Sequence, residues 1–220
     1  LHRERFFAGT PLQRATVLHK CLINKDIDLI LSVRGGSGSA QIINILESFD
    51  STQWIEKPII GFSDHTSLLN YFTQKCGWIT YHSHVLTSLT NTSIEEQRSW
   101  AELFLNNSPS TNVLPFNKTK LHIINEGQGS GTLVGGNLAT IASLIGTPWE
   151  VDTKDKILLL EETGEYPYQI ERLLTQLEQG CFFERLRGII LGDFLLKEVP
   201  ISQNELAEIF SYYFTKLRIP

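Results

Sequence analysis

Methionine is missing from all 220 residues, which predicts that Leu1 is an internal position of a longer reading frame. Cysteine is scarce. Cys21, Cys76 and Cys181 are odd in number and far apart, which excludes a disulfide framework and any paired zinc-ligand spacing, and fits a reducing, cytoplasmic setting. Positive charge is in deficit, with 19 Lys+Arg against 24 Asp+Glu, a net charge of −5 and a pI near 5.7. That balance removes the electrostatic attraction on which nucleic-acid binding depends, so no nucleic-acid partner is expected. Long apolar runs are also absent. Gly188-Ile189-Ile190-Leu191 is far too short to cross a bilayer, and Leu1-His2-Arg3-Glu4-Arg5 lacks the apolar core of a signal peptide, so no membrane partner is expected. Asn91-Thr92-Ser93 and Asn117-Lys118-Thr119 match the glycosylation pattern, but that pattern presupposes secretion and reads as chance.

What is present is the make-up of a globular protein, 41% hydrophobic and 20% charged. Thr10-Pro11 is a helix start, and Leu12, Ala15, Leu18 and Leu22 carry helical spacing to about Asn24. The β-branched run from Ile27 to Val33 predicts a strand that stops at the glycine loop Arg34-Gly35-Gly36-Ser37-Gly38. Ile42, Ile45, Leu46 and Phe49 then predict a helix with one apolar face. The pattern repeats, with a strand from Pro58 to Ser63 and a helix from Thr66 to Phe72. Strands alternating with helices predict a parallel α/β sheet. A polar, proline-containing stretch from Asn106 to Lys120 reads as a linker, placing a boundary between domains 1–112 and 113–220. In the second half, Gly135-Gly136-Asn137 leads into a helix from Leu138 to Ile145, and Lys156 to Leu160 is a strand ending at Glu161. A helix from Ile170 ends at Gly180, Gly188 to Leu191 is a buried strand, and Glu205 to Leu217 is a last helix.

Several clusters are candidates for chemistry. Gly61-Phe62-Ser63-Asp64 fits a tight strand-to-helix turn that exposes a nucleophilic hydroxyl, although the usual elbow has Gly two residues after the serine and His65 stands there. A helix-capping serine is the other reading. The Arg34–Gly38 loop suits backbone N–H groups that hold phosphate or an oxyanion, or is a plain tight turn; it lacks the P-loop lysine. Glu161-Glu162-Thr163-Gly164-Glu165 lies at a strand end, where α/β sheets build sites; taken alone, it reads better as a solvated acidic loop. His82 and His84 could ligate a metal from one strand face, but no third ligand is marked by spacing.

Taken in order along the chain, Arg5-Phe6-Phe7-Ala8-Gly9-Thr10, Val33-Arg34-Gly35-Gly36-Ser37-Gly38, Gly61-Phe62-Ser63-Asp64-His65-Thr66, Gly135-Gly136-Asn137-Leu138, Gly146-Thr147-Pro148-Trp149 and Leu160-Glu161-Glu162 resemble the LD-carboxypeptidases. The resemblance implies a serine peptidase that removes the terminal D-alanine from murein tetrapeptides during cell-wall recycling. It implies a flavodoxin-like, parallel α/β N-terminal domain carrying the nucleophile Ser63, and a C-terminal α/β domain carrying the charge-relay carboxylate Glu161. Backbone N–H groups of Asp64 and Gly36 would form the oxyanion hole, and Arg34, Gly35 and Asn137 would bind substrate. No cofactor and no metal are implied; the partner is a small peptide, and the family suggests a homodimer.

The chain departs from the family at its base. The family's catalytic histidine follows the glutamate, whereas all six histidines here precede Glu161. The expectation is a chain that lacks the base, with both domains incomplete, and is inactive alone. Ser37, Gln41 and His82-Ser83-His84 also depart from the residues common at those places. The alternatives are an amide hydrolase of peptide–nucleotide antibiotics, from the immunity branch of the family, and a catalytically dead muropeptide-binding protein.

Overall fold

The structure, a computed structural model, describes residues 3–105, 122–195 and 203–220. The boundary expected at residues 112 and 113 lies outside them. Two strands, β1 (Arg3–Glu4) and β2 (Phe7–Ala8), form a small antiparallel hairpin. Helix α1 (Pro11–Ile23) follows, and its start is the one that Thr10-Pro11 predicts. The Thr10 hydroxyl accepts from Gln13 N–H, Gln13 Oε1 accepts from Thr10 N–H, and Pro11 takes the first turn. The helix stops at Asn24.

The first parallel sheet has the order β3 (Ile30–Leu31), β4 (Ile59–Gly61), β5 (Thr80–His82). Helix α2 (Ala40–Leu46) joins β3 to β4, and α3 (Thr66–Tyr71) leaves β4 and runs on into a π-helical turn, Phe72–Cys76. Strand β3 is much shorter than the Ile27–Val33 run. Its ladder is limited to bonds with β4: Ile30 N–H donates to Pro58 and Ser32 N–H donates to Ile60. Two further helices, α4 (Leu86–Leu89) and α5 (Ile94–Leu105), follow β5. Ala15, Leu22, Ile43, Leu46 and Phe72 form the centre of this half's core.

The second parallel sheet has the order β6 (Thr132–Asn137), β7 (Lys156–Thr163), β8 (Gly188–Leu195), with α6 (Leu138–Leu144) and α7 (Pro167–Gln179) as crossovers and α8 (Gln203–Phe214) after it. Gly180 caps α7, as its position predicts. Three of the expected boundaries shift. Gly135 and Gly136 belong to a strand, β7 continues past Glu161 to Thr163, and β8 is twice as long as the apolar run Gly188–Leu191. In each case ladder pairing with a neighbouring strand extends the element into residues of weak strand propensity. Leu138, Ile141, Leu158, Leu160, Leu174 and Leu177 fill the second core.

The two halves meet where α3 faces β6. Asn70, only 3% exposed, donates to Gly135 C=O (2.8 Å) and accepts from Gly135 N–H (2.9 Å). Asn137 N–H donates to the Thr66 hydroxyl at 3.0 Å. Gln74 adds a third bridge, donating to Glu150 C=O and accepting from Asp152 N–H. Trp149, from the second half, packs against the first core. Asn70→Ala would remove the partner of both half-buried backbone groups of Gly135, and is expected to cost about 2 kcal/mol in denaturant unfolding.

Candidate functional site

Strand β4 ends at Gly61, and Ser63 then takes φ 58°, a left-handed conformation that a serine adopts only when its surroundings enforce it. A short 3-10 turn, Ser63–His65, leads straight into α3. Ser63 therefore stands on a strained strand-to-helix turn. The turn needs Gly61, because a Cβ there would lie 2.6 Å from His65 Cβ. His65 takes the place of the usual second glycine and bends back, with Nδ1 3.3 Å from Phe62 C=O.

Burial depresses the His65 pKa, against smaller upward effects of the Phe62 carbonyl and the Asp64 charge. The folded state thus prefers neutral imidazole, while the unfolded chain takes up a proton from about pH 6.5 downward. The stability that His65 contributes is present above that pH and is lost as pH falls below it. Between pH 7 and pH 5 the wild type is expected to lose melting temperature more steeply than His65→Gln; parallel slopes would refute this.

Asp64 is a clamp. Its carboxylate accepts from Gly38 N–H (3.1 Å), Ser39 N–H (2.9 Å) and the Ser39 hydroxyl (2.6 Å), tying the glycine loop to the residue after Ser63. Arg14 grips the same loop, donating to Gly38 C=O and to the Gln41 side chain. Gly35 is thereby pressed against the serine, and a Cβ there would lie 3.3 Å from Ser63 Cβ and 3.6 Å from Ser63 Oγ. Gly36, at φ 136°, is exposed with open space where a side chain would stand, and Arg34 is exposed beside it. A hollow of about 520 Å³ extends from α1 to this loop and reaches Asp64.

Glu161 and Glu162 are not part of a solvated acidic loop. They are 6% and 3% exposed and lie within β7. The pairing of β7 with β8 is irregular between Leu160 and Glu162, and such a bulge re-aims the residue it contains. Glu162 faces the start of α6, where Oε1 accepts from Asn137 Nδ2 and Thr163 N–H and Oε2 accepts from Ala139 N–H. Burial raises its pKa, opposed by those hydrogen bonds and reinforced by the charge of Glu161. Glu161 faces the other half of the molecule, its Oε1 3.4 Å from His82 Nε2.

Sequence reasoning thus singled out Ser63, Asp64, Gly35 and Gly36, and the fold gathers them. Asn137 is buried. Its side chain caps α6 by accepting from Thr140 and donates to Glu162. The metal reading of His82 and His84 gains no support, since no group of three metal-ligating side chains occurs among the described residues. The clamp role of Asp64 and the contact of His82 with Glu161 had no signal in local spacing, because each joins residues far apart in the chain. No helix among the described residues is long and apolar enough to cross a membrane.

Known proteins match this chain in sequence and in fold. The model of the LD-carboxypeptidase N-terminal domain matches residues 1–83, and that of the LD-carboxypeptidase C-terminal domain matches residues 130–220. The murein tetrapeptide carboxypeptidase of Pseudomonas aeruginosa is 31% identical over 226 residues, covering 99% of this chain and 72% of that protein. A probable murein peptide carboxypeptidase of Bacillus subtilis is 31% identical over 204 residues, covering 88% of this chain and 60% of that protein. An MccF-like protein of Bacillus anthracis superposes with a TM-score of 0.82 at 25% identity, covering 99% of this chain and 72% of that one. The chain spans about 60% of the length of several curated relatives it matches. With both family domains matched in order and a mixed α/β fold of two parallel sheets, the chain belongs to the LD-carboxypeptidase family.

Proposed function

We propose that this chain carries the nucleophile and the charge-relay acid of a serine LD-carboxypeptidase that removes the terminal D-alanine from murein tetrapeptides. The observation that carries the reading is Ser63 at φ 58° on a strand-to-helix turn, with the glycine loop pressed against its side chain. Strain kept at one serine costs about 1–3 kcal/mol and marks a residue whose hydroxyl must be presented.

In this mechanism Ser63 Oγ attacks the carbonyl of the scissile amide, and its proton passes to the base. Backbone N–H groups of Asp64 and Gly36 stabilise the oxyanion, with Asp64 holding the loop in place through its side chain. The base then returns the proton to the departing D-alanine amine, and water releases the peptide from the acyl-enzyme. Glu161 orients the base and stabilises it as imidazolium. By family pattern the base follows Glu161 in sequence, and none of the six histidines here does. Arg34, exposed at the loop, would meet the substrate carboxylate.

The likeness to an MccF-like structure supports a second reading, cleavage of an amide in peptide–nucleotide antibiotics. The experiment incubates the full-length protein separately with a murein tetrapeptide and with an aminoacyl sulfamoyl nucleoside. Release of D-alanine from the first supports the proposal; cleavage of the nucleoside conjugate alone selects the second reading. Binding of the tetrapeptide without turnover would instead identify a muropeptide-binding protein.

A further inference from the structure

His82 and Glu161 form a contact between the two halves of the molecule that the charge-relay scheme does not use. His82 is the last residue of β5 in the first sheet, and Glu161 sits at the bulge of β7 in the second. Nε2 of the imidazole lies 3.4 Å from Oε1 of the carboxylate, with the side chains 16% and 8% exposed. Both of those atoms, and His82 Nδ1 with them, are sealed from solvent without a hydrogen-bond partner, and the 3.4 Å contact is an approach rather than a formed hydrogen bond. Buried polar groups are nearly always paired, so the pairing open to these two is with each other.

The imidazole is held on its other sides as well. The Phe62 ring packs against it with centroids 5.0 Å apart, and Gly136 approaches so closely that a Cβ there would stand 3.0 Å from Nδ1. His82 therefore touches the residue before Ser63 and, across the domain junction, Glu161. Gly136 and Glu161 are themselves near neighbours, since Asn137 pairs with Glu161 and Gly136 with Leu160.

We propose that His82 is a positioning residue for Glu161. Its Nε2–H donates to Oε1, fixes the carboxylate across the domain junction, and leaves the second oxygen to orient the base. The proposal rests on the reading of Glu161 as the charge-relay acid. A carboxylate held from one side by an imidazole cannot swing away from the base, and misplacing such a group by an ångström is enough to slow catalysis strongly.

The test uses the full-length protein with two variants. His82→Leu removes the donor at similar size, and His82→Gln puts an amide N–H near the Nε2 position. His82→Leu is expected to lower kcat about 10- to 100-fold, the scale on which partners of a catalytic ligand act, with KM within about twofold. His82→Gln should recover most of that loss, and both variants should melt within a few degrees of the wild type. In 15N imidazole spectra the His82 Nε2 resonance should move on Glu161→Gln and stay in place on Ser63→Ala. Wild-type kcat in His82→Leu would overturn the proposal, as would no recovery in His82→Gln. A loss as deep as that of Ser63→Ala would also overturn it, because His82 would then be the base itself. Should the wild type fail to turn over tetrapeptide, the function proposed above falls. The spectra then decide the His82–Glu161 bond by themselves, an unmoved His82 resonance refuting it.

Discussion

Ser63→Ala is expected to abolish release of D-alanine from murein tetrapeptide, lowering kcat by about ten-thousand-fold or more while leaving KM within a few-fold. The substitution removes one oxygen, the hydroxyl that the proposed mechanism uses to attack the scissile carbonyl. It leaves the rest of the turn intact. Asp64 keeps its three hydrogen bonds to Gly38 and Ser39, so the loop and the turn stay in place. Substrate binding should therefore survive, and a tetrapeptide should still be bound by the inactive variant. Trapping of the wild type by a serine-directed acylating reagent, absent in the variant, would confirm the bond-forming role. Undiminished turnover would remove Ser63 from the mechanism.

Gly135→Ala is expected to destabilise the protein by about 3 kcal/mol or more, among the largest effects of any single methyl group added here. At φ 118° the backbone is one that a side chain strains, and the added carbon would sit 2.1 Å from the carbonyl oxygen of Leu159. That oxygen belongs to the neighbouring strand, with Gly135 paired to Leu159 in the β6–β7 ladder, so it cannot swing aside as a side chain would. Relief would require β6 to pull away, which would also break the double hydrogen bond from Asn70 that joins the halves. Gly77→Ala provides the comparison. Gly77 has φ 70° but open space around it, so it should show backbone strain alone, about 1 kcal/mol. Denaturant unfolding of the two variants measures the difference. If both cost the same, the clash at Leu159 is not real.

Much of the architecture was legible along the chain because its signals are local. The Thr10-Pro11 cap, the apolar spacing of α1, α2 and α7, and the stop at Gly180 each depend on residues within a turn or two of one another. The glycine loop and the turn at Ser63 were legible for the same reason. The acidic run was misleading. Three carboxylates in five residues carry the pattern of a wet surface loop, and nothing nearby in sequence reveals that the first two are buried on a strand. The burial of Glu162 is made tolerable by partners 20 or more residues away in chain order, Asn137 and Ala139, and Glu161 comes within 3.4 Å of the likewise distant His82. Strand lengths failed in a related way, since β3 was cut short and β7 and β8 were extended by what each strand had beside it.

The sequence by itself determined that this is an α/β chain with a serine at a strand-to-helix turn after a glycine loop, because cap chemistry, hydrophobic period and turn residues act over short distances. The ordered run of its motifs also determined the family resemblance. Only the tertiary structure decided that Ser63 is held in a left-handed conformation against Gly35, that Asp64 locks the loop, and that Glu161 and His82 meet across the junction. The physical reason is that these contacts join groups brought together by sheet pairing and domain packing, and neither spacing nor propensity encodes which distant partner a buried polar group will find.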